Sequence, residues 1–445
     1  MSAAVPSSPF HYRDYRFFWF ARLASTIANT MLIVVIGIHV YDIARETMSI
    51  YEASFWLGMI GLAQFLPLLL LVLVAGYVAD RIDRRLIVVL ALGGEMLCGL
   101  WLAALVWADA MSLVPLFAVS VALGIGRAFA GPALAAFAPN LVPAPLLPSA
   151  IALNSIAWQS GAVAGPLIGG GAYALGVALP YELSALLFAL SVGAMLMVKR
   201  IPRGNAGESK PLRAVIEGLA YVRDNKIVLG AITLDLFAVL LGGATAMLPV
   251  FARDILHVGS EGLGALRAAP AIGAALTAAF LARRPLQRHV GRKMFICVGI
   301  FAVATIVFGE SRWMWLSLAS LFVLGAADMV SVYVRASLIQ IHTPDAMRGR
   351  VSSVSGLFIS TSNELGEFRA GLAGAAFGPV AAVVGGGVLA LGVTGLCAWA
   401  FPALRKADRF VPPDAEILDA EAGKGQPDVE LPPLVAGQKL ETEKG

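Results

Sequence analysis

The sequence has few of the charged residues that soluble proteins place on their surfaces. Only 14% of its 445 residues are charged, whereas 58% are hydrophobic and the mean hydropathy is +0.79. A typical soluble protein has roughly 25% charged residues. The composition therefore excludes an ordinary soluble protein and predicts a chain embedded in a lipid bilayer.

Residues that build metal, redox and catalytic sites are also scarce. The chain has 3 cysteines, each inside an apolar run and without the spacing of metal ligands, and 5 histidines scattered along it. No phosphate-binding GxxxxGK(S/T) loop is present, which argues against an ATP-driven pump within one chain. We therefore predict no metal, no cofactor and no enzymatic activity.

Long apolar runs make up most of the rest of the sequence. Crossing the hydrocarbon core of a bilayer as a helix requires roughly 20 mainly apolar residues. The runs are too continuous for the short alternating strands of a membrane barrel, so helices are predicted. We predict an all-α membrane protein with twelve spans, at residues 16–41, 53–76, 86–108, 112–137, 150–173, 178–198, 227–251, 262–282, 294–309, 313–341, 351–376 and 380–403.

The basic residues predict how these helices are oriented. With the N-terminus in the cytoplasm, only Arg45, Arg253 and Arg312 of the 33 Lys and Arg residues fall in loops on the outer side. Cytoplasmic loops carry the excess of Lys and Arg, so this arrangement is favoured over its reverse. We predict a multi-pass protein of the bacterial plasma (inner) membrane with both termini in the cytoplasm and no nucleic-acid partner.

A polar segment between spans 6 and 7 divides the chain into two halves of six helices. Apolar residues within it recur at helical spacing, which predicts an amphipathic helix on the membrane surface. The C-terminal residues are polar and lack periodicity, which is typical of disorder. The predicted organisation is a cytoplasmic N-terminus (1–15), an N-terminal six-helix bundle (16–198), a cytoplasmic linker (199–226), a C-terminal six-helix bundle (227–403) and a disordered cytoplasmic tail (404–445).

The two halves also resemble each other in sequence. A shift of 201 positions places Leu123 on Leu324, Pro143 on Pro344 and Gly165 on Gly366. Internal duplication is typical of secondary transporters, in which two related halves enclose a substrate site near the middle of the membrane. The repeat therefore predicts two pseudo-symmetric six-helix bundles.

Spans 2 and 3 are joined by the stretch GYVADRIDRR, which ends at Arg85. Short cytoplasmic loops are commonly rich in Arg, so the charge alone is not specific. The order of the residues resembles the signature loop of the major facilitator superfamily, although Asp83 stands where that loop usually has a second glycine. The resemblance implies the major facilitator fold and a latch at the inner gate. The gating-loop residues that it implies are Gly76, Asp80, Arg81, Arg84 and Arg85.

Span 4 contains LGIGRAFAGPA, which places Arg127 near the middle of the membrane. A buried Arg costs several kcal/mol unless it is paired or reaches water, so a packing role alone is disfavoured. The spacing of Leu123, Arg127 and Gly131 resembles a superfamily motif whose Arg is linked to proton coupling. The resemblance implies that role for Arg127.

Span 5 contains GAVAGPLIGG, in which small residues recur at four-residue spacing. Such spacing lets transmembrane helices approach closely, and close packing is one interpretation. The stretch also resembles the superfamily pattern associated with antiporters, and a proline between glycines gives a bendable helix. The implied hinge, which favours export, comprises Gly161, Gly165, Pro166, Gly169 and Gly170.

Ionisable residues inside the other spans are candidates for the cavity. The shift of 201 positions places Arg127 on Asp328, so the two would face the cavity from opposite halves at similar depth. We hypothesise an ion pair between them, the alternative being that each finds a local partner or water. Asp235 in span 7 is a further candidate for the cavity or for proton coupling.

Span 11 contains SNELGEFRAG, which places Glu364, Glu367 and Arg369 inside an apolar run. The repeat aligns this stretch with the glycine-rich motif of span 5, so charges replace packing residues at the contact between halves. The two acids share a helix face, whereas Arg369 points away from them and needs a partner on another helix or a path to the outer surface. Repulsion between two dry carboxylates favours protonation of one of them. Glu364 is the first candidate for a proton carrier and Glu367 the second; a structural network that locks one conformation is the alternative.

These features together predict a secondary active transporter. PDAMRGRVSSVSGLF and SNELGEFRAG resemble the superfamily branch that includes siderophore exporters and related drug or metabolite exporters. The resemblance implies alternating access by a monomer, with inward proton flow driving export of a small amphiphilic solute such as a siderophore, drug or metabolite. A lysophospholipid flippase of the same fold is the alternative. A receptor or scaffold without transport would not need paired buried charges.

Overall fold

The computed structural model describes residues 8–135, 137–199 and 211–410, and these residues form helices without any strand. The all-α membrane fold predicted from the sequence is confirmed. Twelve long helices, numbered α1 to α12, are Arg13–Thr47, Ile50–Arg81, Arg84–Trp107, Leu113–Ala135, Leu147–Leu175, Leu179–Met197, Lys226–Gly242, Ser260–Arg283, Val290–Glu310, Met314–Ile341, Asp345–Phe377 and Pro379–Ala400.

Ten of the described helices are long and apolar enough to cross a membrane. The two long helices outside that group are α5 and α11, which contain the glycine-proline motif and the SNELGEFRAG stretch. Both lie between the halves of the molecule, where neighbouring helices cover part of their surface. A helix shielded from lipid in this way tolerates more polar residues than one that faces hydrocarbon.

The helices pack as two related halves. In the first half α1 packs against α5 and α6, and α3 packs against α4 and α6. In the second half α8 and α9 pack against α10, and α7 and α9 pack against α12. The halves join mainly through α2 against α11 and through α5 against α8. The sequence repeat equates α2 with α8 and α5 with α11, so these two contacts are related by the pseudo-symmetry.

The segment between the halves contains a further helix, Pro211–Asp224, here called the linker helix. It packs against α11, and Glu217 on it pairs with Arg350 on α11 at 2.7 Å. Val222 is buried, whereas the side chains of Ile216 and Leu219 are exposed. Exposed apolar side chains on an amphipathic helix suit a position on the membrane surface. We call the end of the bundle that carries the linker helix the linker face, and the opposite end the far face.

Helix α7 is followed by a change of backbone geometry within the span. It ends at Gly242, and the chain continues through a 3-10 turn at Thr245–Met247, a short helix at Leu248–Val250 and a π-helical turn at Phe251–Ile255. Each such end leaves backbone carbonyls without helical partners. Inside a membrane these groups need other donors, which the candidate site supplies.

The predicted tail begins at residue 404. Pro402–Lys406 form a short helix on which Leu404 is fully buried, and the backbone amide of Gly291 donates to the carbonyl of Ala407 at 3.0 Å. This part of the tail is therefore packed on α9. Residues 411–445 lie outside the described part of the chain.

Candidate functional site

The charged stretch of α11 lies at the contact between the two halves. Arg127 Nη1 on α4 is 2.8 Å from Glu364 Oε1 on α11, so this ion pair joins the first half to the second. The side chain of Glu364 is only 10% exposed, and that of Arg127 is 33% exposed. Gln64 on α2 also lies near Arg127, with its Oε1 3.5 Å from Nη1. Partial burial strengthens the ion pair relative to one in water.

The second acid of α11 has its own basic partner. Glu367 Oε1 lies 3.4 Å from Arg267 Nη2 on α8 and accepts a hydrogen bond from the Thr245 hydroxyl at 3.2 Å. Arg267 also donates to the carbonyl of Thr245 at 3.1 Å. The Arg267 and Glu367 side chains are 25% and 26% exposed, so water reaches this pair more readily than it reaches Glu364. The two acids therefore engage opposite halves of the protein.

Arg369 reaches a third element, as its position on the helix wheel predicts. Its Nε donates to the carbonyl of Leu240 at 2.9 Å, near the point where α7 ends at Gly242. A cation near the C-terminal end of a helix is stabilised by the helix dipole and satisfies a carbonyl that the helix leaves free. Arg369 and Thr245 thus connect both sides of the α7 break to the charged stretch.

The predicted pairing of Arg127 with Asp328 differs from the pairing in the structure. Arg127 pairs with Glu364, and no ion pair of Asp328 occurs among the described residues. Asp328 instead faces into the second half, where it lines a small cavity with Asp235 and Ser331. The repeat gives the two residues equivalent positions in the two halves but not the direction in which each side chain points.

Asp235 and Arg335 form a buried ion pair between α7 and α10. The side chains of Arg335 and Asp235 are only 5% and 7% exposed. Arg335 is therefore held inside the second half by its acidic partner. Asp235 is thus paired within its own half, and its role in the cavity or in proton coupling stays a prediction.

The glycine-rich motif of α5 packs against two helices. A Cβ added at Gly161 would lie 2.6 Å from Thr26 Cγ2 on α1, and one at Gly170 would lie 2.9 Å from Gly264 Cα on α8. Pro166 lies inside a continuous α5. Gly165 and Gly169 face α1 in the same way. The motif therefore allows close packing, and the hinge implied by the resemblance stays a prediction.

The gating loop spans the end of α2 and the start of α3. The Asp83 carboxylate caps α3 by accepting from the Arg85 backbone amide at 2.9 Å, and the Arg85 side chain donates to the carbonyl of Leu196 on α6. Gly76 and Arg81 belong to the last two turns of α2, and Arg84 opens α3. The side chain of Asp80 lies outside the described part of the structure. The contacts described here remain within the first half, and a latch between halves stays a prediction.

A cluster of charges near the far face was missed by sequence reasoning. Asp42 on α1 pairs with Arg253, and Arg45 Nη2 lies 3.2 Å from Asp254 Oδ1. Tyr41 donates to Asp254, and Tyr173 on α5 donates to Asp42 at 2.9 Å. Arg253 and Asp254 belong to the π-helical turn of the second half. We call these residues the far-face cluster; in sequence they look like ordinary loop charges at the ends of spans.

The far ends of the halves are in close contact. Gly58 on α2 packs directly against the backbone of Gly371 on α11, and Gly170 packs against Gly264. Beneath this contact a central cavity is lined by residues of both halves, including Arg267, Glu367 and Thr245. A second cavity of about 300 Å³ lies in the first half, beside Arg127. The two halves are therefore in contact at the far face, and the cavities within the bundle combine apolar with charged and polar lining residues.

Two six-helix halves, with charged contacts across their interface, define a transporter of the major facilitator superfamily. The chain belongs to the transmembrane secretion effector family, whose model matches residues 4–421. Enterobactin exporters EntS from Shigella boydii and Escherichia coli are 27% identical to it over 384 and 385 residues, covering 85% of this chain and 90% of each relative.

Solved transporter structures share the fold. A bacterial homolog of the human lysosomal transporter Spinster, in an inward-facing and unoccupied conformation, has a TM-score of 0.66 at 16% identity, covering 88% of this chain and 99% of that one. A D-xylose-proton symporter has a TM-score of 0.66 at 16% identity, covering 86% and 97%. At such identities the likeness concerns the fold alone.

Proposed function

We propose that the protein exports a small amphiphilic solute in exchange for protons by alternating access. The observation that carries this proposal is the ion pair between Arg127 and Glu364, which connects one half to the other. Alternating access requires the halves to rock against each other around a central site. An ion pair across the moving interface makes that motion sensitive to the charge of Glu364.

Protonation of Glu364 changes the energy of the interface in a defined way. The ionised carboxylate attracts Arg127 and favours the arrangement in which α4 and α11 touch. A proton on Glu364 removes most of that attraction, so separating the two helices no longer leaves an unpaired buried anion. A proton can shift the equilibrium between the two conformations only if it binds one of them more tightly than the other. Glu364 meets this condition, because its ion pair with Arg127 exists only when α4 and α11 touch.

Glu367 supports a second role at the same interface. Its contacts with Arg267 and Thr245 tie α11 to α8 and to the segment after α7. It therefore remains attached to its own half when Glu364 releases Arg127. We assign Glu367 as the second candidate for proton transfer, since it is the more exposed of the two acids and lies on the central cavity.

The proposal also includes the orientation of the protein in the membrane and the direction of transport. The excess of Lys and Arg at the linker face supports a cytoplasmic linker and cytoplasmic termini in a bacterial inner membrane. The enterobactin exporters among the relatives and the antiporter-like motif of α5 support export. The solute class proposed is a siderophore, drug or metabolite, carried by a monomer.

Transport in proteoliposomes tests the proposal. Candidate solutes would be assayed for accumulation with an imposed pH gradient and after the gradient is collapsed with an ionophore. Accumulation that requires the gradient supports proton antiport, whereas accumulation that ignores it contradicts the proposal. A fluorescent lysophospholipid assayed in parallel tests the flippase alternative, which predicts movement of the lipid and of no soluble solute.

A further inference from the structure

The cavity in the first half has a polar side and an apolar side. It lies between α1, α3, α4 and α5 and has a volume of about 300 Å³, the lower end of the range for small-molecule sites. Arg22 and Asn29 of α1 line the polar side. Leu92, Leu134 and Trp158 line the apolar side. Its shape and lining suit part of an amphiphilic molecule.

Arg22 faces this cavity without an acidic partner. Its Nε is buried and has no hydrogen-bond partner, and no ion pair to its guanidinium occurs among the described residues. Arg127, across the cavity, differs because it is paired with Glu364 and lies near Glu95. A guanidinium inside a membrane protein is costly unless an anion or water satisfies it. Arg22 is thus the basic residue of this cavity that is not paired with an acidic side chain among the described residues.

The hydroxyl groups near Arg22 already donate to backbone carbonyls and are not available to a bound molecule. Ser25 and Thr26 donate to the backbone carbonyl of Arg22 at 3.2 and 2.7 Å, and Thr30 donates to that of Thr26 at 2.8 Å. The guanidinium of Arg22 and the amide of Asn29 have no such partner within the described residues. Both are donors, and they lie on the same helix two turns apart. Arg22 and Asn29 therefore present unpaired donors to a cavity whose polar lining also includes Arg127 and Glu95.

We propose that this cavity binds the acidic group of an amphiphilic organic anion. Arg22 and Asn29 hold a carboxylate, acidic phenol or phosphate through charge-assisted hydrogen bonds, and the apolar body rests on Trp158 and the two leucines. The identity of this anion as the exported solute rests on the proposed function. The same acidic chemistry is available on a free solute and on a lipid headgroup, and the test separates the two.

Binding of a matched acid and amide tests the proposal. 2-Naphthoate and 2-naphthamide share a ring system and differ in charge, and each would be titrated into the purified full-length protein in detergent at neutral pH. We expect the acid to bind roughly tenfold or more tightly than the amide, because a hydrogen bond to a charged group is the stronger one. Arg22→Gln should remove this preference while leaving naphthamide binding intact, and Arg22→Lys should keep part of it.

Arg284→Gln is the matched control, since Arg284 is exposed at the end of α8 and remote from the cavity. Unchanged naphthamide binding shows that the Arg22 variants are folded. Equal affinities for acid and amide in the unmodified protein, or an unchanged preference in Arg22→Gln, would overturn the proposal.

A competition experiment identifies the source of the anion. The competition follows once Arg22-dependent binding of naphthoate has been found, and either outcome agrees with an anion site. Displacement of naphthoate by lysophosphatidate assigns the site to a lipid headgroup, and absence of displacement assigns it to a soluble acid. Binding requires no pH gradient. Transport that fails to respond to a gradient while acid binding still depends on Arg22 would therefore contradict proton coupling and leave this proposal standing.

Discussion

Arg127 Nη1 lies 2.8 Å from Glu364 Oε1, and this contact joins α4 of the first half to α11 of the second. The charged stretch of α11 is therefore part of the interface between the halves and is shielded from lipid. Glu364, Glu367 and Arg369 each reach a different helix, which explains how an apolar run holds three charges. Any motion that separates α4 from α11 must find new partners for Arg127 and Glu364 or neutralise Glu364.

Exchanging the two charges tests whether the pair itself matters. Arg127→Glu and Glu364→Arg should each reduce transport strongly, since each leaves two like charges at the interface. The double variant restores opposite charges and should recover a measurable part of the lost rate, with initial rates of solute uptake in proteoliposomes as the measurement. Exchange of Arg127 with Asp328 should recover nothing, because those two residues do not pair in the structure. Equal recovery of transport in both double variants would contradict the assignment of Glu364, rather than Asp328, as the partner of Arg127.

Gly371 tests the closed state of the far face. Its backbone packs against Gly58, so Gly371→Val places a side chain where no space exists and should hold the far ends apart. With Cys98, Cys297 and Cys397 replaced by alanine, a cysteine introduced at Ala246, which lines the central cavity, reports this opening through faster reaction with an impermeant maleimide added from the far side. Gly356→Val on the same helix is the control, since open space surrounds that position. Unchanged labelling in Gly371→Val would argue against the contact.

The far-face cluster should favour closure only modestly. The side chains of Arg253 and Asp42 are 45% and 35% exposed, and such surface pairs contribute about 0.2–1 kcal/mol each. Arg253→Gln should therefore raise the labelling rate of the Ala246 cysteine by less than about tenfold, and high salt should reduce the difference. Arg312→Gln, also near the far face but outside the cluster, is the control. Faster labelling in Arg312→Gln with unchanged labelling in Arg253→Gln would show that the far-face cluster does not stabilise the closed far face.

Arg369 should stabilise the break that follows α7. Arg369→Gln removes the cation near the end of that helix and leaves the Leu240 carbonyl without its donor, a loss of about 1–3 kcal/mol. We expect a lower unfolding midpoint of the purified protein, with Arg369→Lys between the two because Lys keeps the charge but not the Arg geometry. Arg283→Gln at the exposed end of α8 serves as the control. A midpoint equal to that of the unmodified protein would show that the contact adds no stability.

Much of the fold could be predicted because membrane helices have a strong sequence signal. Each of the twelve predicted spans overlaps one long helix, and ten of these helices are long and apolar enough to cross a membrane. The repeat equated α5 with α11, and both lie at the contact between halves. The packing function of the glycine motif also followed from spacing alone. These features depend on composition and period, which a single sequence contains.

The pairing of the charges could not be predicted in the same way. The repeat gives Arg127 and Asp328 equivalent positions along their helices but not which way each side chain points, and the structure pairs Arg127 with Glu364. The break after α7 has only Gly242 and Gly243 as a local signal. The far-face cluster depends on a turn of the second half meeting α1, which residues more than 200 positions apart determine together.

Gradient-driven transport by Glu364→Gln measures the coupling itself. Glutamine keeps the size and a hydrogen-bonding oxygen but has no proton to exchange, and Glu310→Gln at the exposed end of α9 is the matched control. With the solute that the unmodified protein carries, Glu364→Gln should lose accumulation against a gradient while retaining downhill exchange that no longer varies with pH. Accumulation at the unmodified rate and with the unmodified pH dependence would contradict the role of Glu364 as the proton carrier.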